Sequence, residues 1–314
     1  MYQIGNAPVE IFSVLFYTYM ENDDVPRRIL QAYPAILLVI SLSALSCSKE
    51  DEPRQSPPKP LVKNDAPKQP VRDSNLYATY VLSGSRSLTD LFAKIGPRKK
   101  QIVFKLNRRD LAHLRQGDTI ITPNAGDNEI DYAPFPMSIT GLPAKIIFVD
   151  RRIQAFAAYD SGHLVHWGPT STGKKSTPTP EGLYHTNWRS KETHSTVNEA
   201  WVLKWYFNLD NREGISLHEY ELPGYPASHS CVRLLADDAE WIYNWAQQWK
   251  LTADRQKVEA TGTPVIVYNN YEYGKKQPWK QVIQNPASVS VSDSLLATTA
   301  THWLAADSTI ASVQ

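Results

Sequence analysis

Between residues 145 and 268 the apolar positions come in short runs separated by turn residues. AKIIFVD, IQAFAAYD and HLVHWG are β-rich, with DRR and DSG between them, and this spacing predicts a meander of strands. WVLKWYFNL, GISLHEY and TPVIVYN extend the same pattern. In GISLHEY the period of two sets Ile215, Leu217 and Glu219 on one face and Ser216, His218 and Tyr220 on the other. DDAEWIYNWAQQW reads differently. Its Trp241, Ile242, Trp245 and Trp249 recur on one stripe, and Asp237 or Asp238 is placed to cap it, which predicts a helix packed on the sheet. The fold class expected here is mainly β with one accessory helix.

A second pattern precedes it. SRSLTDLFAKIG carries Leu88, Leu91, Phe92 and Ile95 at helical spacing, and Pro97 is expected to end that helix. LNRRDLAHLRQGDTIITPN then offers a helical turn, the turn residues Gly117 and Asp118, and the strand TIITP. Leu106, Asn107, Leu111, Leu114, Gly117, Ile121 and Pro123 give this stretch a resemblance to a LysM module, a small α+β domain. SGSRSLTD stands where that family has its Gly-Asp opening. Residues 76–132 are assigned to this LysM-like domain and APFPM, residues 133–137, to a linker. Residues 138–280 are assigned to the β domain.

The amino-terminal quarter has no such pattern. Arg27 and Arg28 precede an apolar stretch, residues 29–45, followed by the small Ser46 and by Cys47. That order is an export signal, and SALSC resembles the lipobox of bacterial lipoproteins, which implies lipidation of Cys47. A short membrane-spanning anchor or a buried helix is the competing reading of the same run. Residues 1–46 are thus taken as the signal, with residues before about 27 attributed to a mis-assigned start codon. The following stretch, residues 47–75, is rich in Pro and charge and is expected to be a disordered tether. Residues 281–314 are rich in Ser, Thr and Ala and read as a low-complexity tail, with a helix possible around SLLATTATHWLAA.

Charge removes one function class. Lys+Arg 33 against Asp+Glu 32 gives a net charge of +1, with no basic surplus for nucleic-acid phosphates. Nine Trp and sixteen Tyr suit a polymer-gripping surface and an ordinary β core equally well.

The second of the two cysteines lies in SHSCVRL, with His229 two positions before Cys231 and Arg233 two after. A thiol attacks as thiolate, and a free cysteine has a pKa of about 8.5, so a reactive one needs a base or a positive charge nearby. His229 is close in sequence, and an extended backbone would put it on the same face. His218 is the other candidate, because the Pro and Gly of ELPGYPA must turn the chain and can return the cysteine beside the His218 strand. Glu219 points away from His218 and is a poor choice to orient its ring. A buried inert thiol, and a zinc site from His218, His229 and Cys231, are the competing readings.

HEYELPGYPASHSCVRL resembles the active-site signature of the L,D-transpeptidase catalytic domain (YkuD-type), and TSTGKKSTPTPEGLY resembles an upstream stretch of the same family. The resemblance implies a β-sandwich-like catalytic domain. It implies that Cys231 attacks a peptidoglycan tetrapeptide stem, releases D-alanine and passes the acyl group to an amine, with His218 as base. Backbone N–H groups of Ser230 and Cys231, and of His229, would serve the oxyanion, within an active-site loop of Ser228, His229, Ser230 and Arg233. Arg233 would secure that loop or meet a substrate carboxylate. Ser171, Thr172 and Gly173 would shape the pocket. Ser230 departs from the family, which mostly has glycine there. A positive φ at that position would cost a serine roughly 1 kcal/mol or more, whereas any other φ would only narrow the pocket. No cofactor and no metal are expected. The expected partners are peptidoglycan stem peptides, glycan for the front module, and a membrane through the lipid. The expected location is an outer-membrane lipoprotein facing the periplasm. Water as acceptor would make the protein a carboxypeptidase, and loss of activity through Ser230 would leave a wall-binding lipoprotein.

Overall fold

The structure is a computed structural model and describes residues 74–311. The export signal, Cys47 and nearly all of the tether lie outside the described residues. No helix among the described residues is long and apolar enough to cross a membrane.

The front part is strand, helix, helix, strand. β1 (Tyr77–Val81) pairs antiparallel with β2 (Thr119–Pro123), Tyr77 opposite Pro123. Between them runs α1 (Ser87–Asn107), which is broken at Gly96, where φ is +80°. Pro97 does not end the helical region as expected. It opens the second segment, where a missing N–H and a fixed φ cost nothing, and Ile102, Val103 and Leu106 of that segment are buried.

β3 (Lys145–Asp150), β4 (Ala155–Asp160) and β5 (His163–Pro169) form the expected meander. β6 (Gly182–His185), β7 (Arg189–His194), β8 (Val202–Asp210), β9 (Ile215–Glu219) and β10 (Val232–Leu234) follow, then α2 (Ala236–Trp245). The hairpin β11 (Lys250–Leu251) and β12 (Val258–Ala260) leads to β13 (Pro264–Tyr268), and α3 (Asp293–Ala311) closes the described chain. Besides the two-stranded β1-β2 and β11-β12 pairs, the described strands form two larger sheets, a five-stranded one in the order β5-β4-β3-β13-β6 and a four-stranded one in the order β10-β9-β8-β7. The fold is mainly β.

The five-stranded sheet is buried on both faces, which is why KIIFVD reads as a continuous apolar run. Ile147, Val149, Phe156, Ala158, Val265 and Val267 face Phe207, Ile215, Leu217, Val232 and Ile242, forming the interior between the two sheets. Ile146, Phe148, Ala157, Tyr159 and Ile266 face the other way, onto Tyr77, Ile102, Leu106 and Ile121 of the front part. The front part and the β domain therefore share one apolar core. Ala133 and Phe135, in the segment expected to be a linker, are buried within it. So are Val289, Val291, Leu296 and Ala300, so the tail up to residue 300 is packed structure that the Ser and Thr content concealed.

α2 also differs from expectation. Leu235 occupies its cap position without a side-chain hydrogen bond, and Trp249 lies beyond its end. Asp238 is instead buried, paired with Lys105 Nζ at 3.1 Å and His166 Nε2 at 2.7 Å. Lys105 also meets Glu129 at 2.5 Å and donates to Trp167 O at 2.8 Å. The lysine of the front helix is thus fully partnered inside the protein, as burial of an ammonium requires.

Candidate active site

β9 places the site by its alternation. Ile215 and Leu217 enter the core between the sheets, so Ser216 and His218 face the other side. β10 pairs parallel with β9, Val232 opposite Leu217 and Arg233 opposite His218, which brings Cys231 back beside that face. Ser216 Oγ donates to Cys231 Sγ at 3.2 Å, and the thiol is 3.3 Å from Gly214 O. His218, Cys231, His229, Arg233 and Ser228 line a common cleft of about 210 Å³, walled by Trp201, Tyr206 and the 193–197 segment.

The parallel return depends on the 220–228 connection, and the front part holds it. Asp110 N donates to Leu222 O at 3.1 Å, while Leu222 N donates to Asp110 Oδ2 at 2.7 Å. Arg109 bridges to Pro223, and its side chain fills the space where a Cβ on Gly224 would sit, 2.9 Å from Arg109 Cγ. With φ at +88°, glycine is required there on both counts.

Ser171, Thr172 and Gly173 do not line the cleft. They lie buried behind the cysteine segment: Ser171 Oγ donates to Tyr225 O at 2.7 Å, Thr172 O accepts from Ala227 N and Ser228 N, and Gly173 bridges to Ser228. Their contribution is to fix the loop's shape, which differs from the pocket-lining role expected of them. Thr179, from the TPTPEG stretch, completes this support. Its hydroxyl donates to Ser230 O at 2.7 Å and accepts from Gly173 N at 2.9 Å. Ser228 Oγ donates to Cys231 O. The amides of His229, Ser230 and Cys231 are not drawn into these loop hydrogen bonds.

Ser230 has φ +84°, so the serine carries the conformational cost that a positive φ implies. His218 Nδ1 is 2.8 Å from Glu219 O, which fixes the proton on Nδ1 and leaves Nε2 as the basic nitrogen. The Glu219 main-chain carbonyl, not its side chain, orients the ring. Burial holds the His218 pKa down at about 4, with Arg233 adding to the effect. Burial also pushes the Cys231 thiol up, against the Ser216 donors and the Arg233 charge. Both groups are therefore neutral near pH 7. Arg233 stacks on Tyr220 at 4.4 Å and reaches Glu221 O at 3.4 Å. Neither histidine is hydrogen-bonded to the sulfur, and among the described residues no group of three or more His, Cys, Asp or Glu side chains could hold a metal.

Residues 144–267 match the L,D-transpeptidase catalytic domain of the YkuD family. No curated protein matches the chain. Among solved structures, the chain is similar to an L,D-transpeptidase from Mycobacterium smegmatis, at 18% identity over 40% of this chain and 59% of that one, with a TM-score of 0.33. It is similar to one from Stackebrandtia nassauensis at 21% identity, over 43% of this chain and 60% of that one, with a TM-score of 0.34. A third, from Mycobacterium tuberculosis H37Rv, is 24% identical over 40% of this chain and 58% of that one, with a TM-score of 0.32. The match thus spans less than two thirds of each of these structures. Ser216, Thr179 and Gln154, which binds Thr172 N at 2.9 Å, were not singled out from the sequence. The strand alternation pointed to Ser216, and the TPTPEG resemblance pointed near Thr179. Nothing local marked Gln154.

Proposed function

We propose that the protein is a cell-wall acyltransferase, an L,D-transpeptidase in which Cys231 is the nucleophile and His218 the base. The observation that carries this reading is the parallel pairing of β10 with β9, which sets Cys231 on the Ser216 and His218 face of one cleft. A neutral thiol beside a neutral imidazole suits proton transfer during attack rather than a preformed ion pair. Sulfur bonds to the carbonyl carbon of the stem's diamino acid as the thiol proton passes to His218 Nε2. The imidazolium then returns that proton to the departing D-alanine amine. An amine acceptor attacks the thioester in turn, its proton going to His218, and the thiol is restored. The uncommitted amides at Ser230 and Cys231, with His229, are the donors for the developing oxyanion.

The rest of the chain fits a lipoprotein held at the membrane by Cys47 and facing the wall, in the bacterial outer membrane, with the front part as its glycan-binding module. Intact-mass spectrometry after exposure to a carbapenem tests the central claim. An adduct of one drug mass on the full chain, absent from Cys231→Ala, is the expected result. A folded protein with no adduct would favour the wall-binding alternative, for which the strained Ser230 is the specific observation.

A further inference from the structure

A line of buried polar groups ends on the Cys231 sulfur and involves neither histidine. β8 and β9 build it. Asn208 is opposite Ser216 in register, and Tyr206 lies two residues before Asn208, so strand alternation puts all three on the face that carries His218. Leu203, three positions before Tyr206, lines the same cleft because β8 bulges at Trp205, where φ is +51°. A bulky residue at positive φ is held only where its surroundings over-determine it. This bulge sets Tyr206 and Asn208 on the Cys231 side while Phe207 stays in the core.

Both ends of the line fix its direction. Asn208 Nδ2 donates to the Tyr206 hydroxyl at 3.3 Å. The amide orientation follows from its other partners, since Nδ2 also donates to Asp210 O at 3.3 Å and Oδ1 accepts from Asn187 Nδ2 at 3.1 Å. Ser216 is the other side-chain hydrogen-bond partner of the Tyr206 hydroxyl, and its Oγ lies 3.2 Å from Cys231 Sγ. The thiol in turn donates to Gly214 O at 3.3 Å. An amide N–H only donates and a carbonyl oxygen only accepts, so the donors run from Asn208 to Tyr206 to Ser216 to Cys231 and end on Gly214. Asn208, Tyr206 and Ser216 are all buried, and away from water each bond of such a line strengthens the next.

We propose that Ser216 is a catalytic residue whose hydroxyl holds negative charge on the Cys231 sulfur, and that Tyr206 and Asn208 are positioning residues that keep that hydroxyl aimed at it. The assignment rests on the acyl-transfer reading of the cleft for its biological meaning. No proton travels along the line. When the thiol proton passes to His218 Nε2, sulfur keeps its electron pair and the Ser216 O–H meets it. In the second half of the reaction the C–S bond breaks and its electron pair returns to sulfur. The same hydroxyl receives the departing thiolate while the proton of the acceptor amine goes to His218. The amides of the cysteine loop serve the carbonyl oxygen, and this line serves the sulfur.

The test follows the pH dependence of Cys231 alkylation by iodoacetamide in the full chain, read on the Cys231 peptide by mass spectrometry so that Cys47 does not contribute. Glu213, His194, His218, Tyr220 and His229 share the cleft, and Arg233 is the cation whose charge reaches the thiol. Removing a neutral hydroxyl alters none of these charges. Ser216→Ala should slow alkylation at pH 7 by about five- to tenfold and move the midpoint of the profile to higher pH, as loss of a hydrogen bond to a charged acceptor implies. Tyr206→Phe keeps the ring beside Trp188 and His218 and removes only its hydroxyl. It should slow alkylation by about threefold in the parent and not at all in the Ser216→Ala background. A merely structural role would rescale the rate at every pH and leave the midpoint in place. If the alanine variant does not fold, Ser216→Thr, which keeps the hydroxyl, and Ser216→Val, which has the same shape without it, make the same comparison. A midpoint unmoved by loss of the Ser216 hydroxyl, or a Tyr206→Phe effect equal in both backgrounds, overturns the proposal. A thiol whose profile responds to Ser216 yet takes no carbapenem adduct would refute the acyl-transfer reading and leave the donor line to the sulfur standing.

Discussion

Asp110 grips Leu222 from both sides, its amide donating to the leucine carbonyl at 3.1 Å and its carboxylate accepting the leucine N–H at 2.7 Å. The same carboxylate contacts His113 Nδ1 at 2.7 Å, so one side chain ties the turn after α1 to the connection between β9 and β10. Asp110→Ala leaves the Leu222 N–H without its acceptor. We expect a loss of about 1–3 kcal/mol, faster hydrogen exchange at the Leu222 amide, and slower carbapenem acylation of Cys231. Exchange measured by mass spectrometry on residues 220–228 checks it. Unchanged exchange there would remove the front part from any role in holding the site.

Ser230→Gly relieves the positive φ at the position before the cysteine. The gain in the folded state is partly offset by glycine's greater freedom in the unfolded chain, so stability should rise by up to about 1 kcal/mol. The melting temperature should rise by roughly 2–4 °C, read by thermal unfolding. A fall would mean that the Ser230 hydroxyl makes a compensating contact.

His218 sets the acid side of the pH dependence. Its pKa in the fold is about 4, against about 6.5 when unfolded, so the unfolded chain binds more protons between those values. Above about pH 6.5 there is no penalty. As pH falls through this window, stability is lost, by an order of 3 kcal/mol in all, and the loss is complete below pH 4. His218→Gln should flatten that part of a stability–pH curve. Carbapenem acylation should stay level from about pH 8 down to pH 5 and fall only as His218 protonates near pH 4. A drop centred between pH 6 and 7 would contradict this.

Lys105→Met removes the cation between Asp238 and Glu129. Asp238 would remain buried with only His166 to balance it, and breaking such a pair costs about 3–5 kcal/mol. Denaturant unfolding measures the loss. Adding Asp238→Asn should recover much of it, since the uncompensated charge is then gone.

The β domain was legible because its signals are local. Alternation in GISLHEY put Ser216 and His218 on one face, and the Pro and Gly of ELPGYPA predicted the turn that returns Cys231 to them. What stayed hidden depends on contacts distant in sequence. Pro97 is a stop signal by itself, and only the core that buries Ile102 and Leu106 makes it a restart. Asp238 resembled a helix cap until Lys105, far upstream in the chain, appeared beside it. Ser171 to Gly173 are polar and turn-forming, and nothing in that composition distinguishes a pocket wall from the brace behind a loop. The partner of His218 Nδ1 is the Glu219 main-chain carbonyl, a group that every residue type possesses and that no side-chain pattern marks.

The core shared by the front part and the β domain changes what a truncation can mean. Starting the chain at residue 138 would strip Tyr77, Ile102, Leu106 and Ile121 from one face of the five-stranded sheet and release Leu222 from Asp110. Such a fragment would be a fold with one face of its sheet laid bare rather than a domain freed of an appendage. By the same continuity, the border between the two parts is an interior surface, and the connection that returns the chain to Cys231 is anchored on the far side of it by Asp110.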